Sequence, residues 1–331
     1  MPNKQLQQNV LDTFENPQIF ISVDLDSWIH CRWASGADHS LWSTSEEGYK
    51  TVYGQAKPGD DFDVAIENTL SILDKHDLKI TFFVLSEIAE LYPDLLRRID
   101  RLGHEVALHG KHHVDNSRYT PDEFREMIRE SRGVLEDIIG KPVVGYRAAN
   151  LILSSEQLSI LNDEGFTYDS SVCPSRSFFG KFSEMTEAPS TPYYPARNNL
   201  AAEGNMEIVE LPLGVFPIIN LPSSTGVMTR VLGNWWAKLG ALAMIRKKYA
   251  LYYFHPYEIG PKVTPPISKF YVKLFLRNHG KAFEKQLNGL FKMMRTKGEF
   301  IRGCDLASSI NSKSKASLQN KIAEGRERVA G

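Results

Sequence analysis

Two histidines and two aspartates have the types and spacing that suit metal chemistry. His109 and His113 lie four residues apart in the stretch LHGKHHVD, directly after an apolar run. On one helical turn, this spacing predicts that both imidazoles face the same side, so that each can offer a nitrogen to one ion. A divalent ion with two histidine ligands needs a third ligand, usually a carboxylate, and an open position for water. Asp24 and Asp26, which end a β-branched run, are candidates for that third ligand.

A histidine pair alone is weak evidence, because such a pair is more often a solvated helical face. Two further residues strengthen it: Arg147 follows the apolar run Val143–Tyr146, and His255 follows the aromatic run Leu251–Phe254. Proteins with parallel sheets place their chemistry at the carboxyl ends of strands. Aspartate, histidine, arginine and histidine at four strand ends therefore predict an active site assembled from several strands.

Composition narrows the class of protein. The chain has 331 residues, of which 42% are hydrophobic and 24% charged, as in a globular protein with an ample core. The net charge of −1 argues against a nucleic-acid partner. Cys31, Cys173 and Cys304 are too widely spaced for a disulfide framework or a zinc knuckle. Neither a signal-peptide core nor an apolar run of about 18 residues is present, which predicts a cytoplasmic protein.

Strands and helices alternate along the chain. Apolar runs predict seven strands, near residues 19–23, 79–85, 105–108, 143–146, 166–168, 207–211 and 250–254, and a last short strand near 300–301. This alternation favours a parallel sheet with right-handed crossovers, and chemistry drawn from several strand ends favours a closed barrel. We expect one domain over residues 1–306 and a loose, polar tail over 307–331.

Two segments leave alternatives open. Trp28, Trp33 and Trp42 lie in a long polar loop that runs to about Asp61, and they either form a sugar-binding wall or anchor the loop. Residues 226–249 and 267–294 are each predicted to form one long helix. The basic, aromatic part of the first, residues 234–248, either touches a membrane surface or packs on the core with a solvated end.

Six segments, in order, resemble the motifs of one family. SVDLD, TFFVL, GHEVALHGKHH, GYRAAN, YDSS and FHPYE are similar to motifs of the polysaccharide deacetylases, also called carbohydrate esterase family four. The pattern is most similar to the intracellular, exopolysaccharide-locus branch, and it spans roughly residues 19–259. Each motif alone is weak, but together and in register they are specific. The resemblance implies an α/β fold, the distorted (β/α)7 barrel of the family.

The resemblance also implies a role for each motif residue. Asp26, His109 and His113 correspond to the metal ligands of the family, for a divalent ion expected to be zinc, with nickel, cobalt or iron as alternatives. Asp24 corresponds to the catalytic base, and Arg147 to the arginine that orients it. His255 corresponds to the general acid, and Asp169 to the aspartate that holds this acid. The third motif departs from the family, because Ala149 stands where a proline is usual; this change is expected to reshape the substrate cleft.

The leading functional hypothesis is a metal-dependent deacylase that hydrolyses the amide of an N-acylated sugar during O-antigen or exopolysaccharide assembly. Its substrate would be nucleotide-linked, or lipid-linked at the inner membrane, where peripheral contact would follow. One alternative is a cyclic-amide or ureide hydrolase of the allantoinase-like type. Another is a non-catalytic carbohydrate-binding relative, although the base, the ligands and the acid are all present in the sequence.

Overall fold

One parallel sheet organises the chain. The computed structural model describes residues 10–30, 44–176, 185–216, 219–263 and 270–330. The sheet contains β1 Gln18–Leu25, β2 Thr81–Val84, β3 Glu105–Leu108, β4 Gly145–Tyr146, β5 Tyr168–Asp169, β8 Val209–Glu210, β11 Tyr249–Phe254 and β12 Glu299–Ile301. The spatial order is β11-β1-β2-β3-β4-β5-β8, and β12 pairs with the first half of β1. Two small antiparallel hairpins lie apart from it, β6 Pro195–Ala196 with β7 Asn199–Glu203, and β9 Val215–Phe216 with β10 Leu221–Pro222.

Helices lie between most successive strands of the sheet, and one more follows the last strand. They are α1 Ser45–Tyr53, α2 Asp60–Lys75, α3 Ser86–Leu91, α4 Pro93–Arg101, α5 Pro121–Ile139, α6 Ser155–Asp163, α7 Gly226–Leu232, α8 Asn234–Ile245, α9 Pro256–Ile259, α10 Phe270–Phe275, α11 Lys281–Arg295 and α12 Gly303–Ala330. Within the described ranges, no helix is both long and apolar enough to cross a bilayer.

The sheet buries side chains on both of its faces. Because side chains alternate along a strand, Ile19 and Ile21 belong to the cluster that packs under the helices, while Phe20 belongs to a second cluster inside the curl of the sheet. Phe20, Phe83 and Tyr168 meet there edge to face, with ring centroids 6.3–6.5 Å apart. The interior is thus filled with side chains, as in a small barrel. The predicted distorted (β/α)7 barrel is confirmed.

Local sequence signals predicted several element boundaries correctly. Thr120 and Glu123 form the predicted capping box at the start of α5, and Gly140 ends that helix in a left-handed conformation. The two long helices predicted over residues 226–249 and 267–294 are wrong. The first is split at Gly233, whose φ of 97° breaks the helical path, and Gly280, with a φ of 64°, separates α10 from α11.

Two predicted irregular segments contain helices. The loop expected to run to Asp61 includes α1, whose first turn is capped by the Thr44 side chain. Residues 303–330 form α12 where composition predicted a loose tail from residue 307. Leu306, Ala307 and Ile310 are buried, so the first turns of this helix dock onto the barrel interior cluster. The split of the chain into one domain and a tail stays a prediction.

Candidate active site

Three side chains that could bind an ion converge at one end of the sheet. Asp26 follows β1, and His109 and His113 follow β3. One donor atom from each lies within 4.8 Å of the other two, and all three residues are buried. His113 Nε2 lies 3.3 Å from Asp26 Oδ2. The predicted ligand group is therefore assembled by the fold.

The two histidines are positioned by a bent loop and not by the helical turn that their spacing predicted. Gly110 has a φ of 98°, which turns the chain sharply after β3. Its carbonyl accepts a hydrogen bond of 3.0 Å from the backbone N–H of Ser86. The backbone N–H of Glu87 donates to the carbonyl of Lys111 at 3.4 Å. The loop is thus held by the first residues of α3, and both imidazoles point inward.

The donor atoms suit a divalent cation. His109 Nδ1 donates to the backbone carbonyl of Arg147 at 2.8 Å, which leaves its Nε2 lone pair for an ion. Asp26 Oδ1 is buried and has no hydrogen-bond partner among the described residues. Burial lowers the pKa of His109 and of His113, so both imidazoles are neutral, the form that binds metal. One carboxylate and two imidazoles form a donor set that suits zinc and similar transition metals.

Ionisation of the Asp26 carboxyl group is unfavourable unless a cation is bound beside it. Burial raises its pKa to about 8; the charge on His255 lowers it, and the charge on Asp24 raises it further. A buried carboxylate that is not compensated is costly, and a bound cation supplies that compensation. A cation bound beside the carboxyl group would therefore lower its pKa and favour the ionised form.

Asp24 forms a buried ion pair with Arg147. Arg147 Nη1 donates to Asp24 Oδ1 at 2.7 Å, and both side chains are almost fully buried. Burial alone would raise the pKa of Asp24, but the charges of Arg147, His109 and His255 lower it below the ordinary value. Asp24 is therefore ionised at neutral pH. Its second oxygen, Oδ2, lies 4.0 Å from His255 Nε2.

Arg147 is fixed on every side. Its guanidinium donates to Ser22 Oγ at 2.8 Å and to the backbone carbonyl and side-chain oxygen of Ser170, both at 2.9 Å. The guanidinium also lies over the rings of Phe83 and Tyr253, 4.1 and 5.0 Å from the centroids. A planar group held by this many contacts orients the carboxylate that it binds.

His255 is held by Glu258 and not by Asp169, which corrects the expectation from the family motif. Glu258 Oε2 lies 3.2 Å from His255 Nδ1 and accepts the His255 backbone N–H at 2.8 Å. This is capping-box geometry at the start of α9, which Pro256 opens. The other oxygen of Glu258 accepts a hydrogen bond of 2.8 Å from Arg230 Nε.

Asp169 holds the neighbouring loop in place by hydrogen bonds. It accepts hydrogen bonds from the backbone N–H and the hydroxyl of Ser171, at 3.1 and 2.7 Å. Glu210, also fully buried, hydrogen-bonds to it, and burial raises the pKa of both carboxyl groups, so the pair shares a proton. The loop shaped in this way presents Ser170 to Arg147. Asp169 therefore lies behind Arg147 and shapes its surroundings.

The charge states of His255 and Glu258 are coupled. Burial opposes protonation of His255, but Asp26 and Glu258 raise its pKa from 6.5 to about 9. Burial opposes ionisation of Glu258, but Arg230 and His255 lower its pKa from 4.5 to about 2. The stability that comes from His255 is complete below pH 6.5 and is lost as pH rises through about 9. The stability that comes from Glu258 is complete above pH 4.5 and is lost as pH falls towards 2.

The third motif, where proline is replaced, has an unusual backbone. Ala149 is buried, and the next two residues, Asn150 and Leu151, have φ values of 56° and 59°. Asparagine tolerates this left-handed conformation better than most residues, whereas leucine does not. Asn150 Nδ2 donates to Asp115 Oδ1 at 2.8 Å, which ties this turn to the end of the histidine loop. The segment after Arg147 is thus shaped by an asparagine.

Sequence reasoning missed the supporting residues. Glu258 stood in the quoted motif FHPYE, three residues after the histidine, and that spacing was its signal. Arg230 gave no local signal. Trp28 is buried and donates to the Tyr53 hydroxyl at 2.7 Å, so it anchors the loop. Trp33 and Trp42, the other candidates for a sugar-binding wall, lie outside the described residues.

Known proteins share parts of this chain. Residues 42–168 match the family model for polysaccharide deacetylase. A peptidoglycan-N-acetylglucosamine deacetylase of Bacillus cereus is 31% identical over 114 residues, which cover 31% of this chain and 42% of that protein. The chain spans less than half the length of this and another curated relative that it matches.

Solved structures extend the likeness across the fold. A candidate polysaccharide deacetylase of Mycobacterium smegmatis superposes with a TM-score of 0.57 at 20% identity, over 92% of this chain and 93% of the other. An allantoinase, PuuE, gives a TM-score of 0.58 at 14% identity, over 89% and 90% of the two chains. These two matches show a shared fold, and a shared fold does not by itself specify a function. Residues 42–168 are therefore similar to polysaccharide deacetylases, and the barrel is shared with solved structures over about nine tenths of the chain.

Proposed function

We propose that this protein is a metal-dependent deacylase that hydrolyses the amide of an N-acylated sugar in the assembly of a surface polysaccharide. The observation that carries the proposal is the convergence of Asp26, His109 and His113. They lie beside Asp24, whose pKa is lowered, and His255, whose pKa is raised. The sugar would be nucleotide-linked or lipid-linked.

The charge states of the two tuned groups suit a base and an acid. Asp24 is ionised despite burial and can accept a proton from an attacking water at Oδ2, since Oδ1 is occupied by Arg147. His255 is protonated at neutral pH and can give the proton on Nε2 to the departing amine, since Nδ1 faces Glu258. A divalent ion, when bound by Asp26, His109 and His113, would supply Lewis-acid chemistry by polarising the acyl oxygen and lowering the pKa of a water.

A substrate panel tests the function. Protein loaded separately with zinc, nickel, cobalt or iron should release acetate from an N-acetylated nucleotide-sugar or lipid-linked saccharide, and this release should stop when a chelator removes the ion. Allantoin serves as the ureide competitor in the same assay. Hydrolysis of allantoin without any deacylation would favour the allantoinase-like alternative, and binding of sugars without hydrolysis of any substrate would favour the non-catalytic one.

The ligand set makes its own prediction. Asp26→Ala should weaken binding of the divalent ion by more than the roughly 10- to 100-fold that loss of a hydrogen-bond partner of a ligand costs, because a direct donor is removed. Metal content after dialysis, measured by mass spectrometry, checks this. Ser45→Ala is the control, because Ser45 is a buried polar residue that bonds to His30 and Glu87 without belonging to the ligand group. Equal metal content in Asp26→Ala and wild type would remove Asp26 from the ligand set.

The coupling of His255 to Glu258 predicts a shifted pH profile. In Glu258→Gln, one of the negative charges that raise the His255 pKa is lost, so the basic limb of kcat/KM should lie at lower pH than in the wild type. The His255 pKa, read by NMR, should move in the same direction. Because Arg230 is left buried without its partner, a thermal melt must show that the variant is folded at the assay temperature. A folded variant with an unmoved His255 pKa would contradict the coupling.

A further inference from the structure

One face of the barrel combines exposed apolar side chains with basic residues. Leu232 ends α7, and Trp235 and Leu239 lie one turn apart on α8. Their exposed fractions are 38%, 58% and 46%, which is high for large apolar residues. Leu274, on α10, is 37% exposed. We define these four residues, with Arg246, Lys247, Lys273 and Arg277, as the basic–apolar face.

Trp235 is exposed although its helix is packed firmly against the barrel. Its neighbour Trp236 is buried, stacks on Phe216 with centroids 4.6 Å apart, and donates its indole N–H to the backbone carbonyl of Pro222 at 3.1 Å. The helix is therefore fixed against the barrel by one tryptophan while the adjacent tryptophan points outward. Trp235 meets the ring of Trp236 edge to face, with centroids 5.8 Å apart, and 58% of it still remains exposed to solvent.

The charges on this face have one sign. Residues 226–249 contain five basic residues and no acidic residue, Arg230, Lys238, Arg246, Lys247 and Lys248, although the net charge of the chain is −1. Residues 259–283 also contain five and no acidic residue, Lys262, Lys269, Lys273, Arg277 and Lys281. Arg246, Lys247, Lys273 and Arg277 are exposed. The exposed apolar residues Leu232, Trp235, Leu239 and Leu274 thus lie in stretches of sequence whose charged side chains are all basic.

The two segments are joined in space. The helix α10 packs against α7. Arg230 on α7 donates to the backbone carbonyl of Arg277 at 3.0 Å, and Asn278 Nδ2 donates to the carbonyl of Arg230 at 2.7 Å. The same Arg230 binds Glu258, the partner of His255. Arg277 of the basic–apolar face is therefore connected to His255, the proposed general acid, through Arg230 and Glu258.

We propose that the basic–apolar face docks on the surface of an anionic lipid bilayer. Leucine and tryptophan side chains enter the boundary between head groups and acyl chains, and lysine and arginine attract anionic head groups. A second copy of this chain is a poorer occupant, because a two-fold contact would set these basic residues against their own copies. The proposal rests on the proposed function in one respect: it makes a lipid-linked saccharide the form of sugar that reaches the site.

Vesicle flotation of the full chain tests the proposal. The protein should float with vesicles of phosphatidylcholine and phosphatidylglycerol but not with phosphatidylcholine alone, and added salt should weaken this binding. Trp235→Glu/Leu239→Glu should bind at least about tenfold more weakly. Val64→Glu/Leu91→Glu is the matched control, because it adds the same charge at apolar residues that are 44% and 40% exposed elsewhere.

Three outcomes would overturn the proposal: no binding to either vesicle, equal loss in the two double variants, or a wild-type dimer that Trp235→Glu/Leu239→Glu dissociates. The last outcome would assign the face to a second copy. Turnover of a soluble N-acylated sugar should be the same in wild type and both double variants. Vesicle binding without any deacylation would instead count against the proposed function and leave the docking surface standing.

Discussion

In the Asp24→Asn variant, turnover falls by about 10² to 10⁴-fold while bound metal stays at the wild-type level. The asparagine oxygen can still accept the hydrogen bond that Arg147 Nη1 gives to Asp24 Oδ1 at 2.7 Å. The amide cannot accept a proton from water, so the loss falls on proton transfer. Steady-state deacylation and metal analysis on the same preparation check both halves of this expectation.

The control for Asp24→Asn is Ser22→Ala. The hydroxyl of Ser22 also accepts a hydrogen bond from Arg147 Nη1, at 2.8 Å, but it carries no charge. Its removal should lower the free energy of unfolding by about 1.5–3 kcal/mol, the contribution of a hydrogen bond to a charged group, and leave most of the turnover. Near-normal turnover in Asp24→Asn would remove Asp24 from the role of base. Loss of metal in that variant would place it among the ligands instead.

The strands and the residues at their ends could be predicted from the sequence because both depend on local patterns. Apolar runs of four to eight residues mark buried strands, and parallel strands bring their carboxyl ends to one edge. His109 and His113 could therefore be grouped with the two candidate carboxylates, Asp24 and Asp26, and the family resemblance then favoured Asp26 as the ligand. The loop conformation could not be predicted, since a left-handed Gly110 and backbone bonds to Ser86 decide it.

The missed features depend on contacts distant in sequence. Arg230 is one basic residue in an apolar helix, and its bond to Glu258 depends on how α7 packs against α8 and α10. Gly233 is likewise ambiguous, because a single glycine is often tolerated inside a helix. Residues 303–330 did contain a helix signal, since alanine, lysine and glutamine favour helix even where large apolar residues are few.

Asp169 shows how a motif can predict the position of a residue and not its contacts. It lies at the end of β5, where the resemblance placed it, yet its carboxylate is held by Ser171 and Glu210. Glu258 is closer to His255 because it follows on the same turn. The nearest acceptor in a folded chain is often the local one, since its placement requires no long loop to close. The acceptor for His255 comes from its own strand exit.

Removal of His255 should cost as much turnover as removal of Asp24. In His255→Ala, kcat should fall about 10² to 10⁴-fold while metal occupancy and substrate affinity stay nearly unchanged. The fold should survive, because Glu258 keeps its ion pair with Arg230, at 2.8 Å, when the imidazole is lost. His104→Ala is the control: this buried histidine accepts a hydrogen bond from the backbone N–H of Ile80, so its loss should lower stability and spare kcat.

The leaving group provides the sharper test of His255. An amine must be protonated to leave, whereas an alkoxide leaves with less need for a proton, so His255→Ala should slow an amide substrate more than the matching ester. The geometry supports this expectation, since Nδ1 faces Glu258 and Nε2 faces Asp24 Oδ2 across 4.0 Å. Rates for an N-acetyl and an O-acetyl sugar, measured on the same metal-loaded variant, give the comparison. Equal losses for the two substrates would mean that His255 positions the substrate and does not donate the proton.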